Sequence, residues 1–385
     1  MALTITIPGG KAQLAGSNIW MKVNTDAVQG SLYQILLKAT PENDRIPGGP
    51  FLEAITPDAN GDVWFELSNL FWRKLVPAFS YGNNQLHIEH EELLETVDID
   101  IGESYVDEQN VRQELWAELE GDQYKIKILN GELTQQKQNE LNEAGTTFYS
   151  EFIQGGKFLT SLVNGTTIFP GQNVKLWWLT SATEQQVLSA KADYTLQDET
   201  TGTISSDITI NPDKSNEFNV DPVTLGLPSD AANPVVSYYF YLADGATLKS
   251  EQFTFEVNND YQEHLTTLFS LNKYGVVDCY GLTGTPAYSK SVERSYGQRM
   301  SQPNDTTRQA TRVSTSKSGQ LIREQSTGYK SLDEIMAMED LLMSDQLWIP
   351  HGSMLLPVTI ENSDELLADL MDSVHELTLK LTEAH

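Results

Sequence analysis

The sequence predicts a mainly β, multidomain protein with minor α content: β-sandwiches, then a C-terminal antiparallel sheet or sandwich with one packed helix. Three observations carry this. Apolar and polar residues alternate at period two in run after run, turn chemistry separates those runs, and one capped amphipathic helix stands near the C-terminus. Period two is the signature of a strand with one covered face and one wet one.

In the first module Ile19, Met21 and Val23 alternate with Trp20, Lys22 and Asn24. Leu32–Leu37 is a second strand, and Val63, Phe65 and Leu67 form a third after the turn Pro57-Asp58-Ala59-Asn60-Gly61. Nine acidic residues and no Lys or Arg lie between Glu89 and Glu108, and within them Val97, Ile99 and Ile101 alternate with Asp98 and Asp100 as an acid-faced strand. Tyr124–Leu129 is a strand running into the tight-turn signal Asn130-Gly131. Residues 132–146, rich in Gln and Asn, read as a short helix or loop.

A second strand-rich module starts near Gly171. Val174, Leu176 and Trp178 alternate with Lys175 and Trp177; Val235–Leu242 is an apolar strand, Asp244-Gly245 a hairpin turn, and Phe253, Phe255 and Val257 the return strand. The tail opens with a strand from Leu271. Its helix, expected over 332–344, has Ser331 as N-cap and Glu334 closing a capping box, with Ile335, Met338, Leu341 and Leu342 on one face. Strands around Val358–Ile360 and Leu377–Leu381 follow. The expected domains are therefore a sandwich at 1–129, a connector at 130–170, a second sandwich at 171–258, and a C-terminal β domain at 259–385.

At 385 residues the chain exceeds one core of ordinary size, and 39% hydrophobic residues suffice for several. The net charge of −29 argues against the whole chain binding nucleic acid or an anionic membrane surface. Cys279 is the single cysteine, so no intramolecular disulfide forms and folding inside a cell is expected. The N-terminus has neither a basic leader region nor a long apolar run, and no stretch reaches the length of a membrane span, so no membrane partner is expected.

Charge inverts in one place. From Lys290 to Lys330 eight basic residues stand against three acidic ones, so the segment carries +5 and the remainder −34. Its Ser, Thr, Gln and Asn content marks residues 285–330 as a long basic extended loop or hairpin. Two roles fit: an arm meeting an acidic surface on a neighbouring copy, or a lining for passing DNA. The first is preferred, because the segment interleaves few aromatics beyond Tyr296 and Tyr329. The candidate inter-subunit residues are Arg294, Arg299, Arg308, Arg312, Lys317 and Arg323.

No catalytic constellation emerges. His87-Ile88-Glu89-His90-Glu91 looks like a metal cluster, but on a strand His87 and Glu89 point away from His90, and the helical i, i+4 pair is absent, so a solvated surface is expected. Asp98, Asp100 and Glu103 lack calcium-loop spacing. There is no G-x-S-x-G elbow, and Gly281-Leu282-Thr283-Gly284 is not a dinucleotide fingerprint. Cys279 reads as a buried inert thiol, and Asn164-Gly165-Thr166 as a turn. Trp177-Trp178 and Tyr238–Tyr241 are a sugar-stacking platform or, more cheaply, strand alternation with one ring inside and one outside. No cofactor, metal or enzymatic activity is expected; a hydrolase using two carboxylates from 89–108 ranks last.

The segment Phe269-Ser270-Leu271-Asn272-Lys273-Tyr274-Gly275-Val276-Val277-Asp278, followed by Tyr280-Gly281-Leu282-Thr283-Gly284, resembles a pattern in structural proteins of tailed phages of the Bacteroides-Flavobacterium group. Gln325-Ser326-Thr327-Gly328-Tyr329, the capped helix, Leu347-Trp348-Ile349-Pro350, Leu355-Leu356-Pro357-Val358 and the strand Glu376–Glu383 look like the rest of that region. Ser17-Asn18-Ile19-Trp20 and Pro57–Glu66 look like those proteins' N-terminal sandwich. The strand-helix-strand tail is similar to the tail-tube and distal-tail fold. The resemblance implies Ig-like sandwiches followed by a tail-tube-like β domain. It implies a virion component made in the host bacterial cytoplasm: a distal-tail, tail-hub or baseplate ring joining tube to host-recognition apparatus. The implied partners are copies of the chain in a ring, a hexamer being expected, with neighbouring tail-tube and baseplate or receptor-binding proteins. DNA would pass the lumen without specific binding. The competing expectation is a carbohydrate-binding adhesin that stacks sugars on Trp177 and Trp178.

Overall fold

The computed structural model describes residues 3–6, 12–25, 31–43, 46–71, 79–117, 125–212, 214–260, 262–298, 312–361 and 376–384. The protein is mainly β, with several antiparallel sheets and few helices. It divides into two compact units: residues 1–259 with 271–279, and residues 260–270 with 280–385.

The first unit begins with strands β1 (Leu3–Thr6), β2 (Ala12–Leu14), β3 (Trp20–Thr25), β4 (Ser31–Pro41), β5 (Phe51–Ile55) and β6 (Asp62–Glu66). A short helix α1 (Ser68–Phe71) precedes β7 (His87–His90), β8 (Leu94–Val106), β9 (Arg112–Trp116) and β10 (Lys125–Leu129). A three-stranded sheet β1-β3-β6 faces a sheet β2-β10-β8-β4-β5, with β9 on β8. Their alternating inner residues build one core: Met21 and Val23, Val63 and Phe65, Ile35 and Leu37, Val97, Ile99 and Ile101. The period-two runs of the sequence put these residues on one face, and burying that face holds the sandwich together.

Helix α2 (Gln135–Ala144) follows, capped by Thr134 and ended by left-handed Gly145. Asn130-Gly131 does not turn the chain back into a hairpin. Instead an added Cβ on Gly131 would lie 2.5 Å from the Lys273 carbonyl oxygen, so glycine here permits a close backbone approach.

A π-helical turn (Tyr149–Gln154) leads to β11 (Thr166–Ile168), β12 (Lys175–Trp178), β13 (Gln186–Leu196), β14 (Thr201–Ile210) and β15 (Ser215–Asn219). After α3 (Pro222–Leu225) come β16 (Val235–Asp244), β17 (Thr247–Leu248) and β18 (Phe253–Val257). The larger sheet is β11-β18-β16-β13-β14, with β17 on β16, so the anticipated hairpin across Gly245 forms. The smaller sheet is β12-β15-β7. Its third strand, β7, belongs by sequence to the first sandwich, yet pairs Ser215–Phe218 with His90–His87. Residues 1–129 and 171–258 both lie in the first compact unit.

The second unit rests on a seven-stranded sheet, β20-β19-β23-β24-β25-β22-β21. Its members are β19 (Thr266–Leu271), β20 (Val277–Leu282), β21 (Ala287–Gln298), β22 (Arg312–Ser326), β23 (Leu347–His351), β24 (Met354–Ile360) and β25 (Thr378–Glu383). The helix is split into α4 (Leu332–Ala337) and α5 (Glu339–Leu342) around Met338. Its capping box is formed as expected: Ser331 Oγ accepts from Glu334 N and the Glu334 carboxylate accepts from Ser331 N. Ile335, Met338 and Leu341 are buried. Beside them Lys330 and Glu334 form a buried i, i+4 ion pair at 3.2 Å, and burial holds Lys330 below the usual lysine range.

Candidate interaction surface and buried polar cluster

The basic segment folds as a two-stranded ribbon, the hairpin form of the two expected from sequence. β21 pairs with β22 from Ala287↔Glu324 to Gln298↔Arg312, with a bulge at Ser295/Tyr296. On its other side, among the described residues, β22 pairs with β25 through Ile322–Ser326. From Lys290 to Gln298 the ribbon therefore runs beyond that support, roughly 30 Å at about 3.4 Å per residue. Among the described residues β21 is the last strand of the sheet.

Register sorts the ribbon into two faces, because directly opposed residues of an antiparallel pair share a face. One face carries Tyr288, Lys290, Val292 and Arg294, opposite Arg323, Leu321, Gly319 and Lys317. The other carries Ser289, Ser291 and Ser295, opposite Ile322, Gln320 and Ser316. Tyr288, Val292 and Leu321 are exposed large hydrophobics, and Lys290 and Arg294 are exposed beside them. An isolated two-stranded ribbon is marginal in water, so a face with apolar and cationic groups together is suited to being covered.

Of the six candidate residues, Arg294 lies on that face, and Lys317 occupies the register position opposite it. Arg312 stands at the start of β22, paired with Gln298. Arg299 and Arg308 lie outside the described residues. Arg323 has a different task at the base of the ribbon. Its Nη2 donates to Thr266 Oγ1 at 2.7 Å and to Gln325, and its guanidinium sits over the Tyr288 ring at 5.9 Å. Burial pulls it below the usual guanidinium range. Gln325 in turn donates to the carbonyls of His264, Leu282 and Gly284. Arg323 thus fixes where the ribbon leaves the sheet.

A separate feature escaped the sequence reading: a buried ionic cluster on the smaller sheet of the first unit. Period two places Lys175 and Trp177 of β12, Glu217 and Asn219 of β15, and His90 of β7 on one face. Glu217 is 0% exposed. Its Oε2 accepts from His90 Nε2 at 2.7 Å and from Ser80 N at 2.9 Å; its Oε1 accepts from Lys175 Nζ and Ser80 Oγ. Lys175 also donates to Asn219 Oδ1 at 2.8 Å. Burial alone would raise the Glu217 pKa. The His90 hydrogen bond, the Lys175 charge and hydrogen bond, and the Ser80 hydroxyl outweigh it and bring Glu217 down to about 2.

This cluster corrects the expectation that His87–His90 is a solvated surface. His87 does point away from His90, as strand geometry requires, but it meets Asn216 Oδ1 at 2.9 Å and stacks on Phe218. Burial keeps His87 below the usual imidazole range. Nor do the acidic residues of β8 all face water: Asp98 and Asp100 lie on the outer side, whereas Glu95 and Glu103 are buried. Glu95 accepts from the backbone of Asn43 and Thr96, and Glu103 accepts from Tyr33 Oη at 2.7 Å.

The tryptophan pair differs from expectation too. Trp177 and Trp178 are both buried. One face of β12 is turned to the aromatic core, where Phe218 of the neighbouring strand meets Phe240. On the opposite face Trp177 lies against His90 and donates from Nε1 to Val277 O at 2.8 Å. Cys279 is buried nearby, and burial pushes its thiol far above the usual range, which makes it a poor nucleophile.

Among the described residues no group of three or more His, Cys, Asp or Glu side chains is placed to hold a metal ion. No helix there is long and apolar enough to cross a membrane. No family model matches the chain, and no curated protein matches it either. The ribbon and the cluster must therefore be read from their own chemistry. A carboxylate held ionised between a lysine and a histidine, with both oxygens engaged, braces the sheet that β7 joins; the ribbon presents an exposed face of cationic and apolar side chains.

Proposed function

We propose that the chain is a structural component of a phage tail, as a distal-tail, tail-hub or baseplate ring that connects the tail tube to the host-recognition apparatus. Copies assemble head to tail into a closed ring, with six as the expected order, and the ring meets tail-tube and baseplate or receptor-binding proteins in the virion. The observation that carries this reading is the ribbon β21–β22, with its exposed cationic and apolar face. Charge balance supports a second copy as its acceptor, since the chain outside 290–330 carries −34. The sequence resemblance of the region from Phe269 onward points the same way. DNA passing such a ring needs no specific contact. Sugar stacking on Trp177 and Trp178 is not favoured, because both rings are buried.

Reversing two exposed charges tests the reading. Lys290→Glu with Arg294→Glu is expected to leave a folded monomer of 43.0 kDa that no longer assembles, seen by light scattering and negative-stain images. Ser289→Glu with Ser291→Glu, on the opposite face, should assemble like the parent. Normal rings from the first variant would reject the proposal.

A further inference from the structure

A groove in the first unit has a lining unlike the rest of the chain. It is walled by residues 13–20 on one side and by α2 and its flanks, residues 133–148, on the other, with a cavity volume of about 520 Å³. That is within the size range of small-ligand sites. Thirteen described residues line it and none is charged, in a chain 21% of whose residues are charged. Eight of the thirteen are Gln, Asn, Ser or Thr. We propose that this groove binds a short neutral saccharide, a reading independent of ring assembly.

The chemistry selects the ligand class. An ionised ligand would call for opposite charges in the wall, and a purely apolar one would leave the Asn18 and Asn142 amides without partners. A neutral polyol has hydroxyls that both donate and accept, and ring faces of C–H bonds that pack on an aromatic surface. Amide side chains match the first property because each offers donors and an acceptor. The exposed indole of Trp20 at the groove matches the second.

The groups are held in place beforehand. Trp64 meets Trp20 edge-on, with centroids 6.5 Å apart and planes at 83°. Lys22 lies over the Trp64 ring at 5.4 Å and is itself fixed by Asp62 at 2.8 Å. Across the groove α2 presents Gln135, Gln138 and Asn142 on one side, at i, i+3 and i+7. Gln138 commits its Nε2 to Leu133 O and Gln135 its Nε2 to Asn139 Oδ1, which leaves their carbonyl oxygens to accept. Ser17 Oγ accepts from Leu133 N, leaving its hydrogen to donate. Asn18 and Asn142 are exposed, and neither side-chain amide is hydrogen-bonded among the described residues. Preorganised amides and a braced indole lower the ordering cost of binding.

The test is calorimetric titration of the full chain with neutral hexasaccharides of glucose, mannose, galactose and N-acetylglucosamine. A hexasaccharide of galacturonic acid serves as the charged comparison. At least one neutral probe should bind and the acidic one should not. Trp20→Ala should weaken binding by about tenfold or more, the effect of losing a central aromatic anchor. Trp20→Tyr should restore part of it, and Asn142→Ala should weaken it several-fold. Both sites are exposed, so thermal melting should match the parent. Binding to none of the neutral probes, preference for the acidic one, or unchanged affinity in Trp20→Ala would overturn the proposal. Repeating the titration on the Lys290→Glu, Arg294→Glu variant separates this outcome from that of ring assembly.

Discussion

Glu217→Leu is expected to cost the first unit about 3–5 kcal/mol, because it leaves the Lys175 ammonium buried without its counter-charge. Domains are stable by only about 5–15 kcal/mol, so denaturant melts should show the loss plainly. The double variant Lys175→Met, Glu217→Leu removes both charges and should lose less than Glu217→Leu alone. A double variant as unstable as the sum of the two singles would contradict the pairing. The same carboxylate sets an acid limit. Its folded pKa of about 2 lies below the ordinary 4.5, so its contribution is complete above pH 4.5 and is lost as pH falls through about 2. That contribution is roughly 3 kcal/mol, and the Glu217→Leu variant should lack this part of the parent's acid unfolding.

Trp177→Ala should destabilise the first unit by about 3–5 kcal/mol, the usual cost of emptying a buried aromatic site. The ring is among the largest fully buried side chains, and its loss also strands the Val277 carbonyl that accepts from Nε1. Trp177→Phe should recover most of the packing but not that hydrogen bond. Calorimetric melting of the two variants measures the difference. A Trp177→Ala protein that melts with the parent would contradict the buried placement and reopen Trp177 as a surface ring.

Where the determinants were local, the sequence was legible. The alternation of β3, the turn at Gly245 that leads β16 to its return strand β18, and the Ser331/Glu334 capping box depend on local residue patterns, and all three form. What local pattern cannot carry is the identity of a distant partner. His90 meets Glu217 across 127 residues and Trp177 meets Val277 across 100, so neither contact leaves a period in the sequence. The assumption that a strand has one wet face therefore failed at β12, which is buried on both sides, and at β7, whose residues are half-buried or buried. Asn130-Gly131 failed for another reason. The glycine serves a close approach of two backbones, and the local signal is the same as for a turn. In the ribbon the sequence supplied charge and polarity. The register then separated a Tyr, Lys, Val and Arg face from a serine face.

The ribbon reading comes down to whether copies of this chain associate. Light scattering of the purified protein over a range of concentrations, with negative-stain images of the same samples, measures it directly. The expected result is a single assembly whose mass is a whole multiple of 43.0 kDa, seen as closed rings. A particle that stays at 43.0 kDa at the highest concentration reached, with no rings on the grid, would contradict it.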